Sequence, residues 1–142
     1  MTNKELHPKM YIYRRLVEAK LYIDRFYSEK INLDTVSEKG NFSKYHFLRL
    51  FKNAFGKSPH AYLTEVRILN AKKLLEENHS IKEVCFDVGF ESIPSFIGLF
   101  KKYVGITPSR FVKEKNRQNE LKQLSPFSFI PNCFAEIHGW IE

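Results

Sequence analysis

Tyr45, Leu48, Arg49 and Lys52 follow one another at spacings of three and four, which places their side chains along one face of an α-helix. Their chemistry is a ring, an aliphatic branch, a guanidinium and an ammonium. Such a stripe suits a flat, anionic surface. Arg49 can offer a two-pronged fork to the O6 and N7 atoms of guanine, and Lys52 can offer a point charge to phosphate. A merely solvated basic face is the plain alternative for any single stripe. The elements that carry these residues must therefore decide.

The carrier reads as a helix over Ser43 to Phe55, with Ser43 as its cap, Gly56 as its stop, and Phe47, Leu50, Phe51 and Ala54 as an inner stripe. The stretch Gly40–Pro59 is repeated by Gly89–Pro108. Ser43 answers to Ser92, Phe47 to Phe96, Leu50-Phe51-Lys52 to Leu99-Phe100-Lys101, Gly56 to Gly105 and Pro59 to Pro108, all 49 residues apart. Two copies are too few for a solenoid, so this is a duplicated motif inside one domain. The second helix, over Ser92 to Val104, places Phe96, Leu99, Phe100 and Tyr103 inside. Its outward stripe is Pro94, Ile97, Gly98 and Lys101, with Ile93 beside it, and Gly98 stands where the first copy has Arg49. Ser92 and Lys101 can meet phosphate, and Ile93 or Ile97 can meet thymine methyls. A protein contact and a vestigial unit remain the alternatives for this face.

Around the repeat, apolar spacing predicts helices over Met10–Tyr27, Asn32–Lys39, Pro59–Asn78, Ile81–Val88 and from Thr107-Pro108 to about Lys115, with a polar extension towards Leu124. The fold class is all-α. The Pro59–Asn78 helix spans roughly 30 Å and separates the two copies. A short helix, a turn and a capped helix with an outward basic stripe form a helix-turn-helix. Two of them on a stiff spacer suit a ligand that repeats every ~34 Å, as successive major grooves do.

The 142 residues carry a net charge of +7 and a pI near 9.4, which favours a polyanionic partner, nucleic acid or an acidic membrane surface. No apolar run has the length of a bilayer span and the N-terminus lacks a signal-peptide pattern, so the expected location is the cytoplasm, at the nucleoid, with no membrane. Cys85 lies in an apolar helical pattern and Cys133 in the tail. The histidines His7, His46, His60, His79 and His138 are scattered and read as exposed or capping residues. No metal site, cofactor or assembled catalytic set is expected, and the chain is not read as an enzyme.

Ser43-Lys44-Tyr45-His46-Phe47-Leu48-Arg49-Leu50-Phe51-Lys52, then Gly56, Pro59, Arg67, Ala71, Leu74-Leu75, Val88-Gly89-Phe90-Glu91-Ser92, Phe96, Phe100-Lys101, Gly105, Thr107-Pro108 and Phe111 resemble the AraC/XylS family of bacterial transcription regulators. The resemblance covers about Lys9–Lys115. It implies about seven helices, with two helix-turn-helix subdomains on successive major grooves of one DNA face, and a structural role for Arg67. It is similar to the short standalone members of the MarA and SoxS type, which implies a monomer. Where relatives hold polar or basic base-reading residues, the second helix here is apolar, so hydrogen-bond readout by it is expected to be weak.

The expected organisation is a first subdomain over residues 1–57, a linker helix over 58–79, a second subdomain over 80–115 and an aromatic tail over 116–142. Tyr45, Leu48, Arg49, Ile93 and Ile97 are the candidate base contacts. Ser43, Lys44, Lys52, Ser92 and Lys101 are the candidate phosphate contacts. The tail, with Phe127, Phe129, Ile130, Phe134, Ile137, Trp140 and Ile141, is expected to pack back on the helices, with a dimer or partner contact and small-molecule sensing as alternatives. The competing functional reading is an interaction module with weak DNA affinity. It would bind a regulator or RNA polymerase through the tail and the Ile93/Ile97 face.

Overall fold

The computed structural model describes residues 3–34, 37 and 43–124. Among these residues there is no strand, six helices are described from end to end, α1 (Asn3–Phe26), α2 (Lys44–Phe55), α3 (Pro59–Glu76), α4 (Ile81–Asp87), α5 (Ile93–Val104) and α6 (Pro108–Leu124), and Leu33, Asp34 and Ser37 are helical as well. The expected short helix over Asn32–Lys39 and its stop at Gly40 lie largely outside the described residues, as does the tail beyond Leu124. α1 starts seven residues before the predicted Met10, because a single leucine among polar residues and a proline gives no periodic signal over Asn3–Lys9.

The starts of four helices are set in the same way. Ser43, Ser58, Ser80 and Ser92 each hold an extended backbone and accept a hydrogen bond from the amide three residues on, at 3.2–3.3 Å. Thr107 does the same for Arg110 at the head of α6. α2 and α5 also end alike: Gly56 and Gly105 take φ of +79° and +94°, and each donates its N–H to the carbonyl of Lys52 or Lys101 at 2.8 Å. A left-handed cap of this kind favours glycine because a Cβ would crowd the carbonyl. The duplication is thus one of geometry as well as of letters.

Two cores form, one at each end of α3. Leu16, Ala19 and Ile23 of α1 meet Phe47 and Phe51 of α2 and Leu63 of α3. Ile68, Ala71 and Leu75 of α3 meet Val84, Cys85 and Val88, then Phe90, Phe96, Phe100 and Phe111. Tyr27 is partly buried against both. The paired rings Phe47–Phe51 and Phe96–Phe100 stand at 5.8 and 5.7 Å between centroids, so each copy is built on the same aromatic step. Each buried ring contributes about 1.5–3 kcal/mol.

Two predicted inner positions are corrected: Ala54 is exposed and Tyr103 is 42% exposed. Phe55 and Val104, one position further on, pack against the cores instead. Both long helices are therefore turned by the same amount relative to the predicted stripes. Their buried faces centre on Phe51 and Phe100, whose rings also meet Phe55 and Phe111 at 4.7 and 5.6 Å.

Candidate nucleic-acid interface

α2 presents Tyr45 to solvent at 80% exposure, and Arg49 and Lys52 are exposed beside it. Leu48 does not stand fully outward as predicted. The turn of the helix brings it half into the first core, leaving one edge free. Ser43 is exposed while its hydroxyl serves the amide of His46. Lys44 is ion-paired with Asp34 at 3.1 Å, with both groups more than half exposed. Such a surface pair contributes little to stability and exchanges readily for another anion.

On α5, Ile97 is 37% exposed, and Pro94, Gly98 and Lys101 are exposed. Ile93, expected beside the outward stripe, is half-buried and packs against the second core from the first turn of α5. A Cβ added at Gly98 would meet nothing within 4 Å, so no packing requires a glycine there. Ser92 is half-buried and caps α5 through the amide of Ser95.

The two long helices open onto one trough. A cleft of about 670 Å³ is lined by Lys44 and Leu48 of α2 together with Lys30, Ile31, Leu33 and His60. A second, of about 590 Å³, is lined by the same Lys30, Ile31, Leu33 and His60 together with Ser92 and Ser95 at the head of α5. Because four residues line both, the two clefts adjoin and together form a trough that runs from Lys44 and Leu48 of α2 to Ser92 and Ser95 of α5. Lys30 reaches Glu91 across it at 4.0 Å. Lys30 sits in a polar connection without periodicity, so no pattern in the sequence singles it out, and His60 reads there as one of the scattered exposed or capping histidines.

Behind the trough, Arg67 of α3 joins the units. Its Nε donates to the carbonyl of Tyr27 at 2.7 Å, one of its terminal nitrogens donates to that of Glu29 at 3.0 Å, and its guanidinium lies 5.8 Å from the Phe90 ring centroid. Burial pulls its pKa down, with the nearby Glu91 charge opposing. Cys85 is fully buried, and that burial raises its thiol pKa. Among the described residues, no group of three or more histidine, cysteine or acidic side chains is placed to hold a metal, and no helix is long and apolar enough to cross a membrane.

The family description "Helix-turn-helix domain" matches residues 36–114, more than half of the chain. The chain belongs to the AraC/XylS family. Its relatives include the bifunctional transcriptional activator/DNA repair enzyme AdaA of Bacillus subtilis, 40% identical over 91 residues that cover 63% of this chain and 43% of AdaA. The probable transcription factor PqrA of Proteus vulgaris is 36% identical over 85 residues, covering 59% of this chain and 70% of PqrA. The DNA-binding domain of the global transcriptional factor AdpA, solved in complex with a target DNA, superposes with a TM-score of 0.69 at 26% identity, covering 72% of this chain and 94% of that domain. The AraC-type fold carries two helix-turn-helix units. In this chain α4 and α5 form the second, and α2 is the long helix of the first.

Proposed function

We propose that this chain is a sequence-specific regulator of transcription that binds double-stranded DNA by inserting α2 and α5 into successive major grooves, with no enzymatic step of its own. The observation that carries the reading is the shared trough. Its two adjoining clefts reach Lys44 and Leu48 of α2 and Ser92 and Ser95 at the head of α5, so the two helices stand beside neighbouring parts of one surface, as a single duplex face requires. The likeness to a domain solved on its target DNA supports the same reading.

Within it, Arg49 reads guanine, Tyr45 and the free edge of Leu48 flank it, and Ile97 with the exposed part of Ile93 meets thymine methyls. Ser43, Lys44, Lys52, Ser92 and Lys101 hold phosphates, Lys44 leaving Asp34 to do so. The units run over residues 1–57 and 80–115, with 58–79 between them. RNA polymerase is the natural protein partner of such a regulator. α5 supplies fewer polar contacts than α2, so base discrimination is concentrated on the half-site under α2.

Selection of bound duplexes from a random pool, followed by binding of the recovered sequence against scrambled DNA, tests the reading. A recovered site about one turn of duplex long on each half, with affinity falling steeply between 50 and 200 mM salt, is the expected result. Binding that recovers no common sequence, or that ignores salt, overturns it.

A further inference from the structure

The trough between the two long helices is lined by more than their own residues. Lys30 and His60 line both of its clefts, with Leu48 in the one and Ser92 in the other. A duplex engaged by both units presents there the backbone that passes between one major groove and the next. We propose that Lys30 and His60 form a third DNA contact, holding the phosphates of this intervening segment. The inference rests on the DNA-binding reading above and adds residues that neither helix supplies.

The charges facing this position make His60 the group that decides. Lys44 is occupied by Asp34, and Lys30 lies within 4.0 Å of Glu91. Arg67, at the back of the trough, spends its nitrogens on the carbonyls of Tyr27 and Glu29. In the free protein the two lysines and the two carboxylates cancel, which limits attraction to arbitrary polyanions. A phosphate arriving in the trough competes with Glu91 for Lys30 and finds an exposed imidazole beside it.

The test uses the full chain, a selected operator and a random duplex, with anisotropy titrations from 50 to 200 mM salt. Lys30→Ala should lower the magnitude of the salt slope by about 0.9, so that its loss of affinity over that salt range is about 3.5-fold smaller. His60→Ala removes a hydrogen-bond donor to phosphate and should weaken the binding of both duplexes alike. The preference of each variant for operator over random duplex should stay at the native value, because phosphate contacts carry no sequence information. Both side chains are exposed, and circular dichroism is expected to be native for each variant. An unchanged salt slope for Lys30→Ala and unchanged affinities for His60→Ala, beside an Arg49→Ala protein that still loses operator preference, overturn the third contact and leave the two-helix reading standing. A native chain that binds neither duplex overturns both.

Discussion

The guanidinium of Arg67 fills the space that a side chain on Gly89 would need. A Cβ at Gly89 would lie 2.9 Å from Arg67 Nε and 2.8 Å from the Tyr27 carbonyl that this nitrogen serves, in a backbone with φ of +102°. The turn between α4 and α5, the linker helix and the end of α1 therefore meet at one point, and the aim of α5 depends on it.

Gly89→Ala is expected to destabilise the chain by about 1–3 kcal/mol through its backbone conformation alone, with the close contact adding to that. Arg67→Lys keeps a charge but cannot reach both carbonyls as the flat guanidinium does, and should cost about 1–3 kcal/mol. Urea unfolding followed by circular dichroism measures both. A Gly89→Ala protein as stable as the native one would show that the turn can re-form without this junction.

Arg49→Ala should weaken operator binding by about 1–3 kcal/mol and relax the preference at one base pair. Ile97→Ala should cost less, since its side chain offers only apolar contact. Titrations of both variants against single-base operator substitutions read the difference. The opposite order of losses would transfer the discriminating role to α5.

Gly98→Ala places a methyl group in open space on the exposed face of α5. Relative to glycine, alanine in a helix interior is worth about 1 kcal/mol, so the melting temperature should rise. If the backbone of α5 approaches the groove closely at this point, the same variant loses operator affinity. Calorimetry and anisotropy on one preparation separate the two effects.

Tyr62 of α3 donates its hydroxyl to Asp24 of α1, and burial first, then that bond and the Asp24 charge, raise the phenol above its usual pKa. The unfolded phenol ionises near 10, so the stability this group supplies is present below pH 10 and is lost as pH rises beyond it. Tyr62→Phe should cost about 1 kcal/mol at pH 7, the bond being only partly shielded from solvent. Its unfolding midpoint should fall less than the native one between pH 9 and 11.

Much of this architecture is legible in the letters because the same devices occur twice. Ser43 and Ser92, the Phe47–Phe51 and Phe96–Phe100 steps, and Gly56 and Gly105 each fix a local geometry that needs no distant partner. The rotation of the long helices was not legible. A spacing of three and four says that a face exists but not where its centre lies, and Ala54 and Tyr103 sit as near the apolar stripe as Phe55 and Val104 do. Arg67 is visible as a basic residue in an apolar helix, but its acceptors lie about 40 residues earlier, in carbonyls that any sequence would have. Lys30 and His60 carry no pattern at all. Only the fold sets them side by side, one from the connection after α1 and one from the first turn of α3.

Leu63 belongs to one core while Ile68, Ala71 and Leu75 belong to the other, and all four ride on the same uninterrupted helix. An insertion of a single amino acid between Leu63 and Ile68 would swing everything downstream by about 100° and advance it by about 1.5 Å. Loops elsewhere in proteins absorb such indels readily, but this segment has no slack in which to hide one. Its length is itself an inherited constraint, a phase relation written into the chain, and homologues should vary its side chains far more freely than its number of residues.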